Sequence, residues 1–166
     1  SETISTLCLT NGSLNSKGFL IVVFTFFKNL YFRPSRDCAD APILTNINNS
    51  IISGNENIEF LIEQFDDSNL NFKFKNCMMK FNDYNDIFTG QNNYDFLNLE
   101  KYENIYLNLN TDFKNEYNNE LFILQNSEVI NLGDQQLAAI YPLDLLNINR
   151  ENSPDLGAYQ HVIIED

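Results

Sequence analysis

Apolar residues in this chain come in short runs, and few recur at the three- and four-residue spacing of a helix. The stretches 58–62, 72–74, 105–109 and 121–124 are β-branched, aromatic or aliphatic, and each has the length of a strand. Asn, Asp and Gly punctuate them, as they do where a backbone turns. The nine-residue run 19–27, apolar but for Thr25, predicts one buried strand. They are too few to span a bilayer, and behind Lys17 they are poorly placed for a secretion signal. Residues 137–140 predict a short helical turn. The stretch 82–98, rich in Asn, Asp and aromatics, predicts a lateral loop.

A repeat runs through the pattern. Asn49-Ser50-Ile51-Ile52-Ser53-Gly54-Asn55 aligns with Asn76-Cys77-Met78-Met79-Lys80-Phe81-Asn82 at an offset of 27 residues. Weaker copies begin at Asn104, a further 28 on, and at Asn126, a further 22 on. Periods in the twenties predict a solenoid. Each coil would pair with its neighbours at about 4.8 Å, with Asn amides stacked at the corners and Ile, Met and Val stacked inside. The expectation is therefore an all-β chain: a right-handed parallel β-helix from 46 to 160, ending in a capping segment. Residues 1–45 match it poorly and predict strands and loops, and 161–166 predict a tail.

Composition changes the picture in three places. There are 27 asparagines among 166 residues. Asn suits turns because its side chain bonds nearby backbone and tolerates left-handed geometry, so a fold with many sharp corners is expected. The net charge is −13 and is uneven: residues 1–45 carry four basic and three acidic side chains, and 46–166 carry six and twenty. With no basic stripe, the surface repels phosphate, and nucleic acid is excluded as a partner. Cys8, Cys38 and Cys77 form no CxxC pair and His161 stands alone, so no zinc set is expected.

The closing segment is the most specific part. In order come Asp112-Phe113, Leu121-Phe122-Ile123, Ser127-Glu128-Val129-Ile130-Asn131-Leu132-Gly133-Asp134, Asp144 to Arg150, and Pro154-Asp155-Leu156-Gly157-Ala158-Tyr159-Gln160. These blocks resemble the C-terminal signature of the choice-of-anchor Q domain proteins, right-handed parallel β-helix proteins common on the surfaces of Bacteroidetes, often as lipoproteins. Glu128, Asn147 and Gln160 depart from the pattern, where the family carries Pro, Gly and Glu. The resemblance implies an extracellular or cell-surface setting and a pectate-lyase-like fold, with this chain as a C-terminal portion.

Four groups of residues are candidates for chemistry. Asp144 and Arg150 could pair across a Leu-rich turn, Asp155 could bind backbone N–H groups, Gly157 allows a positive φ, and Tyr159 could cover the apolar end. Together they read as a structural cap, with a sugar or ion site as the alternative. Tyr84, Phe88, Tyr94 and Phe96 lie among amides and acids, the composition of a sugar-binding surface; packing of the loop is the alternative. Glu63, Asp66 and Asp67 could hold calcium or form a solvated acidic face. No nucleophile has a candidate base, so no catalytic residue is assigned. The expected function is a non-catalytic module in glycan contact or adhesion. The alternatives are a polysaccharide lyase or glycosidase whose catalytic coils lie upstream, and a purely structural cap. A polysaccharide or surface glycan is the expected partner, and an open coil end could self-associate.

Overall fold

The computed structural model describes residues 6–7, 24–25, 30–32, 43–62, 70–118 and 120–164. Strands dominate: β1 (Thr6–Leu7), β2 (Phe24–Thr25), β3 (Leu30–Phe32), β4 (Ile43–Ser53), β5 (Phe60–Ile62), β6 (Leu70–Met79), β7 (Tyr102–Leu107), β8 (Phe113–Asn115) and β9 (Glu120–Ile123). Among the described residues one α-helix, α1, covers Gln135–Ile140, where the sequence predicts a helical turn, and short 3-10 turns cover Asn92–Tyr94 and Glu116–Asn118. The strands form a parallel sheet β1-β3-β5, a parallel sheet β2-β4-β6-β7 and an antiparallel pair β8-β9.

The Asn-led repeat is a pairing register. Ser50 lies opposite Cys77, and Cys77 opposite Ile105, so Asn49, Asn76 and Asn104 fall at equivalent positions. All three are left-handed, with φ of 50°, 50° and 53°. A left-handed residue inserted in a strand works as a bulge and resets the two-residue alternation of side chains. Ile47, Phe74 and Tyr102 therefore share a core with Cys77, Met79 and Ile52, across an odd spacing. Ile51 and Met78 instead enter a second core with Ile123, Val129 and Leu156. Phe74 stacks on Tyr102 at 6.0 Å between ring centroids and meets Phe60 edge-on at 5.0 Å. Burying each such side chain contributes about 1.5–3 kcal/mol. Burial pushes the Cys77 thiol up to about 12, so it is an inert core group.

The fold-class expectation is corrected by this arrangement. The described strands fall into sheets of three, four and two, and none is closed into a right-handed β-helix. The parallel stacking survives the long 80–101 excursion, since β7 pairs parallel with β6, and it ends after β7, where the chain turns into the antiparallel β8-β9 pair. The fourth copy of the repeat, from Asn126, forms turns instead of a strand, because Glu128 N–H bonds Asn110 and Asn131 turns left-handed at φ 61°. The expectation of strands and loops before residue 46 rests largely on residues outside those described. Of the predicted strand 19–27, only Phe24–Thr25 is described.

All eight non-glycine residues with positive φ among those described are Asn or Asp: Asn49, Asn76, Asp86, Asn104, Asn108, Asp112, Asn131 and Asn147. These are the side chains that tolerate left-handed geometry at least cost. Part of the asparagine excess thus has a structural use. Asn108 shows the mechanism most fully: its Oδ1 accepts from Phe81 N–H at 2.7 Å and its Nδ2 donates to Phe81 O at 3.1 Å. Its amide substitutes for one rung of a sheet.

Candidate functional site

The 82–98 loop carries four aromatic residues in which a sugar surface was expected, and the structure divides them. Phe88, Tyr94 and Phe96 turn inward. They surround Phe81, with centroids at 5.6, 5.5 and 5.1 Å, and pack against the first core. The Tyr94 hydroxyl accepts from Ile62 N–H at 2.8 Å. The Tyr102 hydroxyl donates to Asn93 O, and burial pushes this phenol upward from its ordinary pKa. Three of the four rings therefore hold the loop to the sheet. Tyr84 is the exception, 75% exposed.

Tyr84 stands at an open cleft of about 270 Å³. The cleft lies between the turn after β4, which supplies Glu56, Asn57 and Ile58, and the loop start at Asn82, Asp83, Asn85 and Ile87. Its floor is set by backbone pairing: Ile58 bridges Phe81, and Asn82 N–H donates to Asn57 O at 2.8 Å. Asp83 is occupied, since its two oxygens accept from Ile87 N–H at 2.9 Å and Phe88 N–H at 2.8 Å. The side-chain amides of Asn57, Asn82 and Asn85 carry no hydrogen bond among the described residues. An exposed ring beside three uncommitted amides can stack on a pyranose face and bond its hydroxyls. Composition alone could not separate Tyr84 from its three inward-packed neighbours. The Asn57, Asn82 and Asn85 amides were missed because two distant turns form the cleft.

The closing segment has a different construction. Asp144 is buried. Its Oδ1 accepts from Leu146 and Ile148 N–H, both at 2.8 Å, and its Oδ2 from Gln160 N–H at 2.8 Å. Asp155 is fully buried and accepts from the backbone N–H of Asn131 at 2.8 Å and of His161 at 2.7 Å, with His161 Nδ1 at 2.9 Å. Arg150 is buried too, and its Nη2 donates to Gly157 O at 3.1 Å. Burial lowers its pKa, against the nearby charges of Asp144 and Asp155. Asp144 and Arg150 form no direct ion pair. Each binds backbone instead. Gly157 has φ +89°, and its N–H donates to Asn49 O at 2.9 Å. Tyr159 is half-buried, with its ring 4.6 Å from Phe122.

This segment closes over the asparagine corner. Asp134 N–H donates to Asn49 Oδ1 at 2.7 Å, and Asn76 Nδ2 donates to Leu132 O at 2.9 Å. Lys75 Nζ reaches Asp134 at 2.7 Å. Burial raises the Asp134 carboxyl, but the Lys75 hydrogen bond and the Leu137 and Gln136 N–H groups outweigh it and hold the group below its ordinary value. The same Asp134 bond raises Lys75. Both partners thus favour the charged pair.

Glu63, Asp66 and Asp67, the calcium candidates, lie outside the described residues. Among the described residues no three His, Cys, Asp or Glu side chains gather as a metal site. No described helix is long and apolar enough to cross a membrane. No family model, curated protein or solved structure matches this chain.

Proposed function

We propose that this chain is a non-catalytic module of a secreted or cell-surface protein that contacts glycan through the Tyr84 cleft. The observation that carries the reading is one exposed phenol ring beside three side-chain amides with no hydrogen bond among the described residues. A ring-and-amide surface suits neutral pyranoses. The cleft contains Glu56 and Asp83 and no basic residue, so an acidic polysaccharide meets like charge there. The secreted or surface setting is taken from the closing blocks' resemblance to choice-of-anchor Q proteins. The enzyme alternative gains no comparable support: of the two carboxylates at the cleft, Asp83 is held by two backbone N–H groups as a loop anchor.

A glycan array of neutral and acidic oligosaccharides, with and without calcium, tests the proposal. Binding to neutral chains that needs Tyr84 supports it. A blank across the array for the intact protein sinks it. Release of unsaturated or reducing ends from a bound polysaccharide would favour the enzyme alternative.

A further inference from the structure

We propose that residues 140–148 form a self-association surface through which two copies of this chain pair about a two-fold axis. Ile140, Leu143, Leu145, Leu146 and Ile148 are all exposed here, Leu145 at 70%, Ile140 at 59% and Leu143 at 51%. Contiguous exposed aliphatics at this density mark interaction surfaces on folded chains. The loop is also built to hold them outward. Leu143 bridges Asn149, Arg150 N–H donates to Pro142 O at 2.8 Å, and Asp144 N–H donates to Ile148 O at 2.9 Å. Inside that hairpin the Asp144 carboxylate binds the N–H groups of Leu146 and Ile148. With the one carboxylate of the loop turned inward, its leucines have only the outside to occupy.

Charge selects the occupant. Between Gln135 and Asn149 the one Asp, Glu, Lys or Arg is Asp144, which is buried, and Arg150 beyond it is buried as well. Residues 46–166 otherwise carry nineteen acidic and five basic side chains. Two copies approaching elsewhere repel one another; approaching here, they bring uncharged aliphatics together. A two-fold contact must be self-complementary, and an uncharged aliphatic patch meets that condition. A basic partner would be drawn to the acidic surface instead. An anionic membrane would be repelled, and residues 135–149 offer no Lys or Arg to hold headgroups. A stable pair needs about 800 Å² per partner, so the aliphatics would form the centre of a footprint rimmed by Gln135, Gln136 and Asn147.

Sedimentation velocity on the intact chain over a wide concentration range tests this, beside the double variant Leu145→Asp, Leu146→Asp. The expected result is a reversible dimer that strengthens as salt rises from about 0.05 to about 0.5 M, because screening relieves the repulsion. The double variant should weaken it about a hundredfold while melting at the same temperature at dilutions where both proteins are monomeric, since both side chains are exposed. A monomer at every concentration overturns the proposal, and so does a dimer indifferent to the double variant. Monomeric protein that binds neutral phosphatidylcholine vesicles through these leucines would reassign the patch to a membrane and overturn it as well.

Discussion

The two long loops of this molecule are inverted relative to each other. The 82–98 loop sends three rings, Phe88, Tyr94 and Phe96, inward and leaves its amides and acids outside beside Tyr84, Ile87 and Leu97. The 140–149 loop sends its one carboxylate, Asp144, inward and leaves its leucines and isoleucines outside. The first is anchored at its start by Asp83, but most of it is held by ring packing, which is non-directional and tolerates adjustment. The second is held by hydrogen bonds to one buried anion, which fix the backbone and leave the side chains no choice of face. Exposed apolar surface in the second loop therefore follows from its backbone requirements. Exposed polar surface around Tyr84 follows from the rings having been used elsewhere.

If the inversion is right, the two loops should fail differently. The largest effects should come from the anchors. Asp144→Ala leaves the N–H groups of Leu146, Ile148 and Gln160 without their acceptor, and should cost about 3–5 kcal/mol in denaturant unfolding. Tyr94→Ala should cost a similar amount, about 3–5 kcal/mol, through a cavity among Phe81, Phe88 and Phe60. Conservative replacements separate the two mechanisms. Tyr94→Phe keeps the ring and should lose only about 1 kcal/mol with the Ile62 bond. Asp144→Asn keeps the shape but should lose about 2 kcal/mol or more, because one of its two acceptor positions becomes a donor facing N–H. Equal losses from both conservative variants would erase the distinction.

Smaller effects should appear where the closing segment meets the asparagine corner. Asn76→Gly keeps the left-handed backbone and loses the amide, and should cost about 1 kcal/mol. Asn76→Ala should cost about 2 kcal/mol, because it also strains the backbone at φ 50°. The Lys75–Asp134 pair should contribute on the order of 1 kcal/mol at neutral pH. Its sign is set by the depressed Asp134 carboxyl: the contribution is full above the unfolded-state value of about 4 and is lost as pH falls through the lower folded-state value. The stability gap between the wild type and Asp134→Asn should therefore narrow below about pH 4. A gap that widens on acidification would contradict the pairing.

Much of the corner was legible in the chain. The 27- and 28-residue offsets that align Asn49, Asn76 and Asn104 are the sheet register itself, because identical residue patterns stack when parallel strands pair. The left-handed asparagines were legible for a similar reason, since few other side chains tolerate that geometry. The architecture beyond the corner was not. The copy at Asn126 has the repeat's composition but forms turns, because Glu128 and Asn131 satisfy their backbone through Asn110 and Asp155 instead of a strand. A local pattern cannot show which distant carbonyl or carboxylate will claim an N–H. The same limit applies to Asp144 and Arg150, whose opposite charges suggest a pair and whose actual partners are backbone groups. At the cleft, four aromatics in one loop are equivalent by composition, and their separation depends on which of them Phe81 can reach.

Tyr84 is the side chain on which the functional reading rests, and its replacement should do least to the fold. Tyr84→Ala is expected to leave unfolding within about 0.5 kcal/mol of the wild type, as for an exposed site. The decisive measurement is calorimetric titration of a neutral oligosaccharide into the wild type and Tyr84→Ala. At least a tenfold loss of affinity in the variant, about 1.4 kcal/mol, is the result predicted. Equal affinity in both proteins would contradict the account and place any glycan contact away from this cleft.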